Sequence, residues 1–154
     1  MNLAQVHLLV NHFPVILPLV GGAILLCGLV IKSPTVQKVG LWVFVACALA
    51  TVPAYFTGEP AEKIVKNYPG VMRKIIHQHQ DAAFIAFVGI EVVGFLSTLL
   101  LVWMMKTKRS IPGYLWMLFM ILAGASFLIV AQAAHLGGQI RHEEIQTAAQ
   151  ILQH

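Results

Sequence analysis

The chain has 154 residues, of which 58% are hydrophobic and only 10% charged, with a mean hydropathy of +0.80. A soluble domain carries about a quarter charged residues, so this composition excludes an ordinary water-solvated globule and calls for lipid around most of the surface. The formal charge of +4 does not point to nucleic acid, because the ten Lys and Arg residues sit between apolar runs, where such residues anchor helix ends and set topology. Cys27 and Cys47 lie inside apolar runs with no CxxC or CxxCH spacing, which leaves them as small buried hydrophobes rather than redox or haem-attachment cysteines.

In chain order, the first apolar run covers residues 8–31. No basic residue precedes Lys32, so the run lacks the positive flank of a cleavable signal and reads as a mature helix. The second run is 39–56, the third 82–105 and the fourth 114–134. A span needs about 20 mostly apolar residues, and backbone polar groups in lipid must be bonded within the segment, so each run is expected to be helical. The fold expected is an all-α integral membrane four-helix bundle with antiparallel up-down connectivity, forming one domain over residues 1–154. Two short basic turns, Lys32 to Lys38 and Lys106 to Pro112, close helix pairs. The longer connection between the second and third runs holds Glu59-Pro60-Ala61-Glu62, a helix start with an early Pro and acids in the first turn. Ala61, Ile64 and Val65 share a face there, so residues 59–68 read as a short interfacial helix.

Four spans put both termini and that longer connection on one side. Lys and Arg divide evenly between the sides, but the first helix has its basic residues only after it, which places the termini outside the cytoplasm. The location expected is a bacterial inner membrane with the termini periplasmic.

The histidines share that side. His7 and His12 begin the first run, His77 and His79 precede the third, and His135 and His142 end the fourth, with His154 in the tail. Three helices can therefore bring imidazoles to similar depth, and facing helices of bundles commonly build metal and cofactor sites. Imidazole ligates iron, copper and zinc, and two axial histidines suit a b-type haem. Arg73, Lys74 and Arg141 lie at the same end, in reach of haem propionates. The alternative is that interfacial histidines simply meet water and carbonyls.

Helical phase sorts the candidates. Gln132, His135, Gln139 and His142 form a polar stripe on the fourth helix, expected to face the bundle or an aqueous funnel. His12 lies deeper than His7 and is the better inward candidate by depth. His77 shares a face with Phe84, Glu91 and Thr98, while His79 lies about 200° round from His77, so only one of the pair points squarely at a given partner. Glu91 falls about halfway along the third span, where a carboxylate is costly and usually functional. Thr51 and Ser126 lie at a matching depth. Gly21, Gly22, Gly89, Gly94 and Gly124 read as helix-packing positions.

These residues also carry a resemblance. Leu8-Leu-Val-Asn-His-Phe-Pro14, then Thr57-Gly58 with Ala61, Val65 and His79, then Ala134-His-Leu-Gly-Gly138 resemble the HFP, TG…A…V…H and LGG motifs of a bacterial four-helix integral membrane family of unassigned function. The match covers nearly the whole chain. It implies His12, His79 and His135 as the functional set, and the fusion of some relatives to c-type cytochrome modules implies a redox setting. Gln80 stands where the family prefers Glu, and Arg141-His142 replaces a hydrophobic-aromatic pair.

The function expected is a b-type haem or metal ion (copper, iron or zinc) held near the outer face, in electron transfer or in a small subunit of a redox assembly. His12, His79 and His135 are the ligands expected, with His77 and His142 as further metal candidates and Arg73 and Arg141 as propionate partners. Expected partners are the bilayer and a c-type cytochrome or other redox subunit, with a homo-oligomer allowed and nucleic acid excluded. The alternatives are a cofactor-free assembly subunit and a proton-coupled permease using Glu91. No nucleophile–base arrangement points to an enzyme.

Overall fold

The structure, a computed structural model, describes residues 2–67, 71–107 and 111–140. All elements among the described residues are helical. α1 (Leu3–Val10) opens with a reciprocal capping box. The Gln5 amide donates to Asn2 Oδ1 at 2.9 Å, and the Asn2 amide donates to Gln5 Oε1 at 3.0 Å, satisfying two amides that a helix start leaves orphaned. The chain then turns through Asn11 and His12 and resumes as α2 (Phe13–Val30). Pro14 sits in the first turn of α2, where its missing N–H and fixed φ are tolerated, whereas inside a continuous helix they would break the ladder. The first span is thus two helices, together Leu3–Val30.

α2 ends in a tight reversal. Lys32 takes a left-handed φ of 53°, and the Ser33 amide donates back to Gly28 O at 2.9 Å, which caps the last carbonyls as in a Schellman end. Ser33 then caps α3 (Pro34–Phe56), with Pro34 pre-set for its first turn. α4 (Gly58–Val65) follows after Thr57 alone, so a helix lies where one was expected over 59–68, ending at Val65 and abutting α3 directly, with residue 68 outside the described residues. α5 (Arg73–Thr107) has 35 residues, about 52 Å at about 1.5 Å per residue, and α6 (Gly113–Gln139) has 27. Both outrun the sequence-defined spans, and the extra turns carry the histidine end.

Four helices, counting α1 with α2 and α3 with α4, are long and apolar enough to cross a membrane. α3 packs on α2 and α5, and α6 packs on α5 and α2, which closes a ring; α1 lies against α4 and the end of α3. Lipid tails are as apolar as leucine, so close approach of small residues, rather than water exclusion, holds such helices together. Gly28 lets Gln37 of α3 approach, and Gly40 lies directly over the Leu25 backbone. Gly94 is seated on Ala48, and Gly89 on Ser126. The packing expectation holds for Gly21, Gly89 and Gly94, but Gly22 and Gly124 have nothing within 4 Å. Glycine content alone marks both kinds; phase relative to the buried stripe separates them.

The core changes along the bundle. Toward the basic turns it is bulky, with Leu25, Leu41, Leu101 and Trp116 around the edge-on pair Phe44–Phe119 at 5.4 Å. Toward the histidine end it thins to Cys47, Ala48, Ala82, Ala86 and Ala133, which lets helices draw close where polar side chains reach across.

A Cβ on Gly40 would stand 2.8 Å from Leu25 N and Cβ. Gly40→Ala is therefore expected to destabilise the fold by roughly 1–3 kcal/mol, whereas Gly22→Ala is neutral or slightly stabilising; unfolding of both variants in mixed micelles, beside the parent, checks the contrast.

Candidate functional site: the histidine end of the bundle

Side-chain phase decides which histidines look inward. On α5 the buried stripe runs Ala82, Ala86, Ile90, Val93, Ser97, Leu101 and Met104, in steps of three and four. His79 extends that stripe by one step, while His77 lies off it and is exposed. On α6 the stripe is Trp116, Phe119, Ala123, Ser126, Val130 and Ala133, and Gly137 is its next step. His135 falls two residues off phase, and both His135 and Gln132 are exposed. The polar stripe of α6 therefore faces away from the bundle, contrary to expectation.

His79 and Gly137 meet across the α5–α6 seam. The His79 Nδ1–H donates to Ala133 O at 2.8 Å. A helical carbonyl already accepts from the amide four residues on, so a second donor must pass over that residue. Here that residue is Gly137, and a Cβ on it would lie 3.1 Å from His79 Cε1 and 3.3 Å from Nδ1. The missing side chain is what opens the carbonyl to the ring.

His7 makes the matching contact on the other side. Its Nδ1–H is shared between Ala54 O at 3.0 Å and Thr57 Oγ1 at 3.2 Å. The Thr57 hydroxyl spends its own hydrogen on Pro53 O at 2.7 Å, so its oxygen is free to accept. These acceptors lie at the α3–α4 junction, and half-buried His7 docks α1 there beside Gly58. The His7 and His79 rings each spend their Nδ1–H on a main-chain carbonyl, which in the neutral ring leaves Nε2 as the nitrogen with a free lone pair. The same second-shell bond holds imidazoles that ligate metals through Nε2.

Further polar groups surround the pair. Asn11 lies one turn beyond His7 on the same face, and its Oδ1 is buried without a hydrogen-bond partner. Gln80 Nε2 donates to Glu62 Oε2 at 2.7 Å, tying α5 to α4. The amide of Gln80 suits this contact, since a glutamate there would need a proton to bond Glu62. The exposed Lys63–Glu59 pair at 2.8 Å adds little in solvent.

The remaining candidates are dispersed. His12 is exposed and donates from Nδ1 to Leu8 O at 2.9 Å within its own segment; the break before Pro14 removes the continuous helix on which depth favoured it. His135 Nε2 accepts from Gln139 Nε2 at 3.0 Å. Arg73 and Lys74 are exposed at the start of α5. Arg141 and His142 lie outside the described residues. His7 and His79 thus each bond across to another helix, whereas His12 and His135 bond within their own segments, and the described residues contain no group of three His, Cys, Asp or Glu placed to hold a metal ion. Depth favoured His12 over His7, whereas it is His7 that bonds across to another helix; the cap at Asn2, which starts α1 early and fixes its phase, was the available signal.

Glu91 is half-buried in the third span. Its Oε1 has no hydrogen-bond partner, so neither Thr51 nor Ser126 bonds that oxygen.

Gly137→Ala should push the His79 ring off Ala133 O and cost on the order of 1 kcal/mol, while Gly138→Ala, with nothing within 4 Å, should not. Imidazole ¹⁵N spectra are expected to show His7 and His79 as Nδ1–H tautomers, with only the His79 signals altered in Gly137→Ala.

Comparison with known proteins finds no matching family model, no similar curated protein and no similar solved structure.

Proposed function

We propose that this membrane bundle would hold a b-type haem at its histidine end through His7 and His79, and would serve one-electron transfer alone or as a small subunit of a redox assembly. The observation that carries this reading is the pair of inward imidazoles, each fixed by its Nδ1–H to a carbonyl of another helix. Donor number then chooses among cofactors. A bare zinc or copper ion takes three or four protein ligands, and two imidazoles fall short of that. A porphyrin brings four nitrogens of its own, so two axial histidines complete its iron. When bound, the haem would supply a reversible one-electron couple. The chain's part would be to orient both rings through their Nδ1–H bonds to carbonyls of neighbouring helices. Arg73 at the start of α5, together with Arg141, is the candidate propionate partner.

The same reading gives the bundle antiparallel connectivity, supported by the tight reversal between α2 and α3 and by the small number of residues between Thr107 and Gly113, and an interfacial place for α4. It sets the histidine end outside the cytoplasmic membrane of a bacterium, because the first span has basic residues only after it. The motif resemblance to the four-helix family, some of whose relatives are fused to c-type cytochrome modules, favours a c-type cytochrome as electron partner.

A second reading rests on the same bonds. The histidines join α1 to α3 and α5 to α6 without any cofactor, as an assembly subunit would require of helix clamps. Expression with haem supplied separates the two. A Soret band in the wild type, lost in His7→Ala and His79→Ala and kept in His12→Ala and His135→Ala, is the result expected for a haem protein. Folded wild type without a Soret band sinks the haem reading and leaves the clamps.

A further inference from the structure

We propose that Glu91 is a reversible proton-binding site inside the membrane, protonated at rest and reachable by hydrophobic reagents through the seam between α3 and α5. This is independent of the haem reading. Two contacts fix the register of that seam. Phe87 of α5 stacks on Tyr55 of α3 with ring centroids 4.4 Å apart, and Gly94 is seated on Ala48. Glu91 lies between these contacts, level with Thr51, on the side of α5 that faces α3.

Nothing there compensates a carboxylate. The Thr51 hydroxyl is buried and gives its hydrogen to Cys47 O at 2.8 Å, so its oxygen can accept a hydrogen bond but has none to give. Cys47, one turn from Thr51 on the same buried face of α3, offers a thiol and no positive charge. Tyr55 is the other titratable group of α3 on that side, one turn away and committed to its aromatic stack. The buried face of α6 presents Ser126 and no ionisable side chain, and α2 carries none inward. The charged side chains nearest in sequence, Asp81 and Lys106, lie ten or more positions away at opposite ends of α5. An ionised carboxylate with a buried, unpartnered oxygen would bear its full desolvation cost. A neutral acid avoids that cost and gains a donor for Thr51 Oγ1.

The half-exposed remainder of Glu91 opens toward lipid, flanked by the exposed Val88, Val92 and Phe95. A water-soluble reagent is excluded from that surface, whereas a hydrophobic carbodiimide partitions to it. The reaction needs the acid: its proton passes to a carbodiimide nitrogen, its oxygen bonds the central carbon, and nothing leaves, so the adduct carries the whole reagent mass.

Dicyclohexylcarbodiimide treatment of the full chain in lipid nanodiscs, followed by peptide mass mapping, is the test. One adduct at Glu91 is expected, absent in Glu91→Gln and kept in Glu62→Gln and Asp81→Asn. Infrared difference spectra should show a protonated-carboxyl C=O band near neutral pH that the isosteric Glu91→Gln removes. A correctly folded chain with no adduct at Glu91, or with a carboxylate band for Glu91 at neutral pH, overturns the proposal.

Discussion

Two helical carbonyls accept a second hydrogen bond at one end of this bundle, and the arrangement of that end follows from them. Carbonyls inside α-helices are normally spent on the ladder and screened by the side chain one turn on. Ala54 is reached because α3 gives way to α4 at Thr57, and Ala133 is reached because Gly137 leaves its flank bare. His7 docks α1 through the first, and His79 draws α5 onto α6 through the second. Both bonds cross between helices, so each ring is held by its Nδ1 in one orientation.

The rest of the molecule makes those bonds affordable. Lipid provides no hydrophobic force between helices, so the opposite end uses bulky interlocked side chains around Phe44 and Phe119. The histidine end uses alanine and glycine. Small residues bring the backbones near enough for an imidazole to span the gap, and the apolar ring of four helices keeps the cluster at one depth. Glu91 stands apart from this cluster, deeper along the α3–α5 seam, and its chemistry is that of a single acid rather than of a ligand set.

Much of the architecture was legible in the sequence. Four apolar runs, the basic turns and the helix start at Glu59-Pro60 all follow from length, hydropathy and local capping, because in lipid those features leave one solution for the backbone. The glycines were legible only in part: Gly21, Gly89 and Gly94 pack, whereas Gly28 and Gly40, which set the closest approach of α2 and α3, carry no separate mark. The site was less legible still. Clustering of histidines on one side identified the end but not the rotation. His135 shares a polar stripe with Gln132 and Gln139, and such a stripe looks inward until the buried 3–4 stripe of α6 is traced through Ala133 to Gly137. His12 lost its inward position to the break before Pro14, a tertiary consequence of where α1 is capped.

The central claim is that His7 and His79, each bonded to a carbonyl of another helix, act as one pair, while His12 and His135, bonded within their own segments, do not. Cysteine pairs placed at these positions in a chain lacking Cys27 and Cys47, treated with a short bifunctional thiol reagent in nanodiscs, measure it directly. The His7→Cys/His79→Cys pair is predicted to cross-link within one chain and the His12→Cys/His135→Cys pair to stay open; cross-linking of the second pair but not the first would contradict the account.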